Sequence, residues 1–190
     1  IIEDDYDNEF HFGYRPILPL SSFSELKNYI YIGTMSKVVA ASLRIGYLAS
    51  NAPGIIEKAA GLRQLIDVQS DTIMEQAILQ LIEDGTIKRH LKKATTHYRN
   101  KRNLTEQLLE KHLHGKISFR VPDGGLAFWI EPVKKLNWED IAKKLQKKGI
   151  RIITSTNYSL AKPVNGFRLG YGSLTEKQLE EGIKTLADLL

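Results

Sequence analysis

Residues 29–50, YIYIGTMSKVVAASLRIGYLAS, decide the fold. The stretch opens with β-branched and aromatic residues, which predict a strand ending near Gly33. Small and hydroxyl residues then lead to Lys37, and a second apolar run at residues 44–49 predicts another strand. A lysine that follows a strand is usually a surface residue. Here hydroxyl residues precede Lys37 and Arg44 follows it, a combination that favours a binding site at the end of the first strand.

An acidic cluster ends an earlier apolar segment. Two isoleucines precede Glu3-Asp4-Asp5, which indicates the end of a buried strand. More than twenty residues separate this strand from the one that leads to Lys37, enough for a parallel crossover. Ligands bind at the carboxyl ends of parallel strands. Asp4, Tyr6 and Lys37 are therefore expected to meet at one edge of a sheet.

The rest of the chain alternates between helical and strand patterns, which predicts an α/β or α+β architecture. A helical pattern runs from about residue 54 to 91, with a break near Asp84-Gly85, and continues over residues 93–113. Further strands are predicted at 117–121, 126–130, 150–153 and 167–169, and further helices at 138–148 and 174–190. We place the domain boundary in the long helix, with residues 1–92 in one domain and residues 93–190 in the other.

Composition limits the classes of function. The chain has 190 residues, 42% of them hydrophobic, and a net charge of +5. No stretch reaches the ~18 apolar residues of a membrane span. The absence of cysteine excludes disulfides and thiolate metal sites and fits a reducing cytoplasm. The histidines and acidic residues show no metal-ligand spacing. The lysines and arginines of residues 88–102 are interpreted as the solvated face of a helix. Nothing in the chain looks like a winged helix, so DNA binding by this fragment is not predicted.

The residue types at the predicted sheet edge suit pyridoxal phosphate. A fixed lysine amine can condense with the cofactor's aldehyde to form an imine. A carboxylate facing the ring nitrogen keeps the ring charged, and a phenol can bond the ring oxygen. Hydroxyls and a guanidinium suit the phosphate. Lys37, Asp4, Tyr6 and Arg44 match these needs in type and order.

The stretch from Thr34 to Tyr47 resembles the lysine motif of fold-type I pyridoxal phosphate enzymes of the class I and II aminotransferase group. That motif reads Ser/Thr-aromatic-Ser-Lys, followed by Arg-x-Gly-Tyr or Phe. The resemblance implies roles for six residues: Lys37 as the imine-forming amine, Asp4 at the ring nitrogen, Tyr6 at the ring oxygen, and Thr34, Ser36 and Arg44 at the phosphate. Asp5 remains an alternative to Asp4, and residues 38–42 depart from the usual pattern.

Three further motifs resemble the MocR subgroup of GntR-type transcriptional regulators: EDDYDNEF at residues 3–10, IEDG at 82–85 and GGLAFW at 124–129. In that subgroup an N-terminal winged helix-turn-helix precedes an aminotransferase-like effector domain, and the proteins are commonly homodimers. The resemblance implies a fragment that holds the rear part of the large domain and the small α+β domain. It also implies an amine, amino-acid or vitamin effector, and DNA binding only through the absent domain.

Two other functions stay open. One is a true aminotransferase of the 2-aminoadipate or aromatic type, in which Lys37 acts as a general base. The other is a degenerate domain that has lost the cofactor. Arg168 stands where the family places an arginine that grips a substrate's carboxylate, although a structural ion pair is a rival interpretation. Trp129, in an apolar strand, is interpreted as a core residue.

Overall fold

A computed structural model describes residues 1–13, 17–67, 70–154, 157, 159 and 164–190. The chain divides into two compact units, Ile1–Thr95 and Thr96–Leu190. The strands are β1 (Ile2–Asp5), β2 (Ile30–Thr34), β3 (Gly46–Ser50), β4 (Ile117–Phe119), β5 (Ala127–Pro132) and β6 (Phe167–Gly170). The α-helices are α1 (Ile55–Asp67), α2 (Thr72–Glu83), α3 (Thr86–Leu113), α4 (Trp138–Lys147) and α5 (Glu176–Ala187).

The first unit contains a three-stranded sheet in the order β1-β2-β3. β1 pairs parallel with β2, with Asp4 opposite Ile32, which confirms the crossover predicted from the length of the connection. β3 runs antiparallel to β2, with Gly46 opposite Thr34. The carboxyl ends of β1 and β2 and the amino end of β3 therefore lie at one edge of this sheet.

The two faces of this sheet carry different side chains because residues alternate along each strand. One face, here called the open face, carries exposed residues: Ile2, Asp4, Ile32 and Leu48. The opposite face, here called the cluster face, carries Glu3, Asp5, Tyr31, Gly33 and Tyr47. On the cluster face Tyr47 lines an apolar groove of about 310 Å³ together with Ile78, Leu79 and Ile82 of α2.

The long helical region is interrupted twice. The break predicted near Asp84-Gly85 is confirmed: Gly85 adopts a left-handed φ of 73°, and the Asp84 carboxylate accepts the Thr86 N–H at 2.7 Å. A second break, not predicted, separates α1 from α2, where the Asp71 carboxylate accepts the Met74 N–H and caps α2. α3 then runs unbroken for 28 residues. The boundary predicted after residue 92 lies within α3, three residues before the division between the units.

The second unit packs α4 and α5 with an antiparallel sheet of order β4-β5-β6. Its core includes Leu109, Phe128, Ile130, Leu145, Tyr171 and Ile183, all at most 1% exposed. Side chains alternate strictly along β5, so that Phe128 and Ile130 are buried while Trp129 is 37% exposed. The interpretation of Trp129 as a core residue is therefore wrong, because its neighbours on both sides fill the buried face.

The strand predicted at residues 150–153 is also wrong. Gly149, with φ of 76°, ends α4, and the Ile150 N–H returns to the Leu145 carbonyl at 3.0 Å. That bond closes the helix and removes a donor from any ladder. Residues 150–153 instead line a cavity of about 660 Å³ beside β6 and α5. Their β-branched side chains fit the composition of a strand, but β-propensity forms a strand only where a partner strand is present.

Among the residues that the structure describes, no helix is both long and apolar enough to cross a membrane.

Candidate functional site

Residues from three segments lie at the sheet edge where β1 and β2 end and β3 begins. Asp4 and Tyr6 belong to the end of β1, and Lys37 follows the end of β2. Arg44 stands two residues before β3. We call this set, with Thr34 and Ser36, the site edge. The site edge contains the six residues that were predicted from the sequence to hold the cofactor.

Lys37 sits in a short turn after β2. The turn is closed by a hydrogen bond from the Val39 N–H to the Met35 carbonyl at 2.9 Å, and Val38 inside it is buried at 3% exposure. The Lys37 amine lies 5.8 Å from the centre of the Tyr6 ring. No hydrogen bond or ion pair joins this amine to another described residue. The turn is therefore anchored while the amine remains open to a ligand.

Asp4 and Asp5 differ in what they bind. The Asp5 carboxylate accepts the Tyr31 hydroxyl at 3.0 Å and the Asn8 N–H at 3.3 Å. Asp4, on the open face, is exposed and makes no hydrogen bond or ion pair within the described part of the chain. A carboxylate that already accepts two protein donors is less available to a ligand. This difference favours Asp4 over Asp5 as the partner of a charged ring.

Glu3, on the cluster face with Asp5, also binds within the protein. Its carboxylate accepts the Leu20 N–H at 2.7 Å and the Ser21 N–H at 3.0 Å, at a one-turn 3-10 helix. Burial raises the pKa of Glu3, but these hydrogen bonds outweigh that effect and lower the pKa overall. Of the three acids in β1, Asp4 alone has no such partner among the described residues.

The hydroxyls of Thr34 and Ser36 are not equivalent. The Thr34 hydroxyl donates to the Ile45 carbonyl at 3.2 Å and accepts the Ser36 N–H at 3.1 Å. A hydroxyl carries one proton, so Thr34 cannot donate to a phosphate while it holds Ile45. The Ser36 hydroxyl has no partner among the residues described. Thr34 thus shapes the turn, and Ser36 retains a free donor.

Arg44 occupies an uncommon backbone conformation. Its φ of 52° lies in the left-handed region, which costs a non-glycine residue roughly 1 kcal/mol. The following residue is held by the Met35 N–H, which donates to the Ile45 carbonyl at 2.9 Å. The guanidinium is exposed and pairs with no described acid. An unpaired guanidinium on a held backbone, at the same sheet edge as the Ser36 hydroxyl, is suited to a phosphate.

Arg168 lies in the second unit, on β6. In the antiparallel ladder it stands opposite Trp129 of β5, so both side chains are on the exposed face of that sheet. The Trp129 ring nitrogen donates to Glu131 Oε1 at 2.9 Å. Arg168 makes no ion pair with any described residue. This finding argues against the interpretation of Arg168 as a structural ion-pair residue. Trp129 is a neighbour of Arg168 that the sequence analysis placed in the core.

Sequence analysis missed Tyr31 and Tyr47, which lie behind the site edge on the cluster face. Their rings stand 6.0 Å apart. The alternation of residues in β2 could have indicated this arrangement, since Tyr31 and Gly33 must lie on the same face of the strand. Nothing in the sequence fixed the register between β1 and β2, which is what brings Asp5 to Tyr31. No metal-binding group of His, Asp or Glu occurs within the described ranges.

Known proteins resemble the chain over nearly its full length, although no protein-family model matches it. Aromatic-amino-acid aminotransferase 1 of Thermococcus litoralis is 26% identical over 191 residues, which cover 100% of this chain and 46% of that protein. The uncharacterized HTH-type transcriptional regulator YdeL of Bacillus subtilis is 27% identical over 98% of the chain and 40% of its own length. The probable rhizopine catabolism regulatory protein MocR of Rhizobium meliloti is 25% identical over 98% and 38%.

Solved structures match the fold closely. Kynurenine aminotransferase of Pyrococcus horikoshii superposes with a TM-score of 0.90 at 24% identity, covering 98% of this chain and 46% of that one. LysN, the α-aminoadipate aminotransferase of Thermus thermophilus, gives a TM-score of 0.89 at 22% identity over 98% and 49%. The chain spans less than half the length of these relatives.

These likenesses confirm the predicted fold class: the chain has the fold of the rear part of the large domain and the small domain of fold-type I aminotransferases. The resemblance to MocR-type regulators and to aminotransferases, predicted from the motifs, is also confirmed.

Proposed function

We propose that the chain is the pyridoxal-phosphate-binding, aminotransferase-like effector domain of a MocR-type transcriptional regulator. The observation that carries the proposal is the site edge, where an unpaired carboxylate, a phenol, an anchored lysine and an unpaired guanidinium converge on strand ends. Bound there, pyridoxal phosphate supplies an aldehyde for covalent attachment and a ring that withdraws electrons from an attached amine.

Each residue of the site edge has a task that its surroundings support. The Lys37 amine would hold the cofactor by condensing with its aldehyde, with release of water. Asp4 would face the nitrogen of the cofactor ring and favour its protonated form, because an opposite charge nearby favours the charged form. The Tyr6 ring lies beside the Lys37 amine, and its hydroxyl would donate a hydrogen bond to the oxygen of the cofactor ring. Arg44 and Ser36 hold the phosphate, while Thr34 fixes the turn between them.

Two points favour a regulator over an enzyme. The acidic motif at residues 3–10 resembles that of MocR proteins. Regulators are prominent among the curated relatives, including YdeL, YdfD and YisV of Bacillus subtilis. In this proposal Arg168 grips the carboxylate of an amino-acid effector. The full-length protein would be a cytoplasmic homodimer that binds DNA through a separate winged helix-turn-helix.

Covalent attachment at Lys37 is the first test. Full-length protein mixed with pyridoxal phosphate should gain visible absorbance, and borohydride reduction followed by peptide mass spectrometry should find the cofactor on Lys37. Lys37→Ala should lose both signals. Lys27→Ala, at an exposed lysine before β2, is the matched control and should keep them. Attachment to another lysine, or none, would reject the proposal.

An aminotransferase is the second candidate, favoured by the likeness to the Thermococcus litoralis enzyme and by the solved structures. The full-length protein separates the two. A regulator should bind a promoter fragment with an affinity that an amino compound changes, as measured by fluorescence anisotropy. An enzyme should exchange amino groups between an amino acid and a keto acid at about 1 to 10³ s⁻¹.

A further inference from the structure

Asp5, Tyr31 and Tyr47 form a connected group on the cluster face, directly behind the site edge. The Tyr31 hydroxyl donates to Asp5 Oδ2 at 3.0 Å, and the Tyr31 ring stands 6.0 Å from the Tyr47 ring. Asp5 Oδ1 accepts the Asn8 N–H at 3.3 Å. The group therefore links β2 and β3 to the backbone just after β1.

Gly33 lets this group form. It pairs with Asp5 on one side and with Tyr47 on the other, so it lies at the centre of the three strands. A methyl group at position 33 would overlap the Tyr47 ring, and Gly33 is buried beneath that ring. Because Gly33 has no side chain, the Tyr47 ring can lie across β2 and close to the Tyr31 ring.

Burial, followed by the hydrogen bond with Asp5 and the nearby Tyr47 hydroxyl, raises the pKa of Tyr31 well above its usual range. The Tyr31 phenol therefore keeps its proton, and remains a donor, at any physiological pH. Burial, together with the charges of Asp5 and Asp7, raises the pKa of Glu9, a second acid near Asp5. The link between the strands is thus stable to ordinary changes of pH.

We propose that Asp5, Tyr31 and Tyr47 are positioning residues that fix the end of β1, so that Asp4 and Tyr6 present their side chains to the cofactor beside Lys37. The inference rests on the proposed function. None of the three touches the cofactor. They act through the backbone, because Asp5 stands between Asp4 and Tyr6 and its side chain, on the cluster face, is bonded to Tyr31 and to the Asn8 backbone.

The visible absorbance of the attached cofactor tests this role, because its pH midpoint depends on Asp4 and Tyr6. A protonated cofactor ring and a phenol at its ring oxygen would both lower the pKa of the Lys37 nitrogen that is joined to the cofactor. If the end of β1 loosens, that pKa rises. In full-length protein we expect Tyr31→Phe and Tyr47→Phe to raise the midpoint by about half a unit to one unit and to weaken cofactor binding about three- to tenfold.

Two further variants sharpen the experiment. Tyr29→Phe removes the same atom from a half-buried tyrosine one residue before β2, whose hydroxyl bonds no described residue, and should leave the midpoint unchanged. Asp5→Asn keeps an oxygen that accepts from Tyr31, so its shift should be smaller than that of Tyr31→Phe. Asp4→Asn removes the charge at the ring and should give the largest shift.

The outcomes are distinguishable. If the wild-type protein attaches no cofactor at Lys37, the proposed function fails and the positioning role fails with it. If the wild type attaches cofactor but Tyr31→Phe and Tyr47→Phe behave like Tyr29→Phe, the positioning role alone is rejected. It is also rejected if Asp5→Asn shifts the midpoint as much as Asp4→Asn, because Asp5 would then be the ring's partner. Melting temperatures identify a misfolded variant, and where Tyr31→Phe misfolds, Tyr47→Phe decides.

Discussion

Asp4 and Asp5 are adjacent and chemically identical, and the pleat of β1 gives them different surroundings. One side chain stands on the exposed open face, and the other is bonded to Tyr31. Residue type alone identified both as candidates for the ring nitrogen. The choice between them depends on which face each occupies, and that depends on pairing with β2. The types of the site residues could be predicted from the sequence, but their hydrogen bonds could not.

Glu9 should make stability depend on pH. Burial, together with the charges of Asp5 and Asp7, raises the pKa of Glu9 above 4.5 in the folded state. The folded protein then binds the proton more tightly than the unfolded chain does. The contribution of protonated Glu9 to stability is therefore complete below the pKa that Glu9 has in the unfolded chain. It is lost as the pH rises through the pKa that Glu9 has in the folded state. At pH 7 the ionised side chain is unfavourable.

We expect Glu9→Gln to raise the melting temperature at pH 7 by about 1 to 3 °C and to leave it unchanged near pH 3.5. Thermal unfolding followed by circular dichroism at both pH values measures the effect. Glu25→Gln, at an exposed position, is the control and should change neither value. An equal gain at both pH values would show that charge is not the cause.

At the scale of elements, three strands match their sequence patterns closely. β2, β3 and β6 begin and end within two residues of prediction, because apolar alternation and flanking glycines mark them. The failure at residues 150–153 has a different origin. The segment has the composition of a strand, but its first N–H closes α4 and its neighbours form a cavity. Pairing partners decide such segments, and they lie far away in the sequence.

α5 depends on the residue that precedes it, Thr175. The Thr175 hydroxyl accepts the Gln178 N–H at 3.2 Å, and the Gln178 side chain accepts the Thr175 N–H at 2.9 Å. This capping box starts a helix whose Leu179, Ile183 and Leu186 are buried. Thr175→Ala should lower the free energy of unfolding by about 1 kcal/mol, measured by urea titration. Ser173→Ala, in the exposed loop before it, should have almost no effect, and equal losses in both variants would contradict the capping role.

At the scale of the whole molecule, apolar residues are concentrated on part of the first unit's surface. Leu65, Ile66 and Ile73, at the end of α1 and the start of α2, are 83%, 77% and 82% exposed. Exposed apolar surface of this kind mediates association. The motif-based resemblance gave the architecture of both units but gave no measure of this exposure.

The 190-residue chain by itself should therefore bind a hydrophobic dye such as anilinonaphthalene sulfonate. Replacing Leu65, Ile66 and Ile73 with glutamine should lower dye fluorescence at least about twofold without lowering the melting temperature, because none of the three is buried. Lys58→Gln, at an exposed position elsewhere on α1, serves as the control. Unchanged fluorescence in the triple variant would place the dye elsewhere.

The pairing of β1 with β2 has a consequence for how this protein can change. Sliding β1 by a single residue would turn every side chain of that strand to the opposite surface. Asp4 would then move to the cluster face, which carries Tyr31, while Glu3 and Asp5 would leave their internal partners for the open face. One inserted or deleted residue would thus undo ligand recognition and internal support together. Substitutions can tune this strand gradually, but changes in its length cannot.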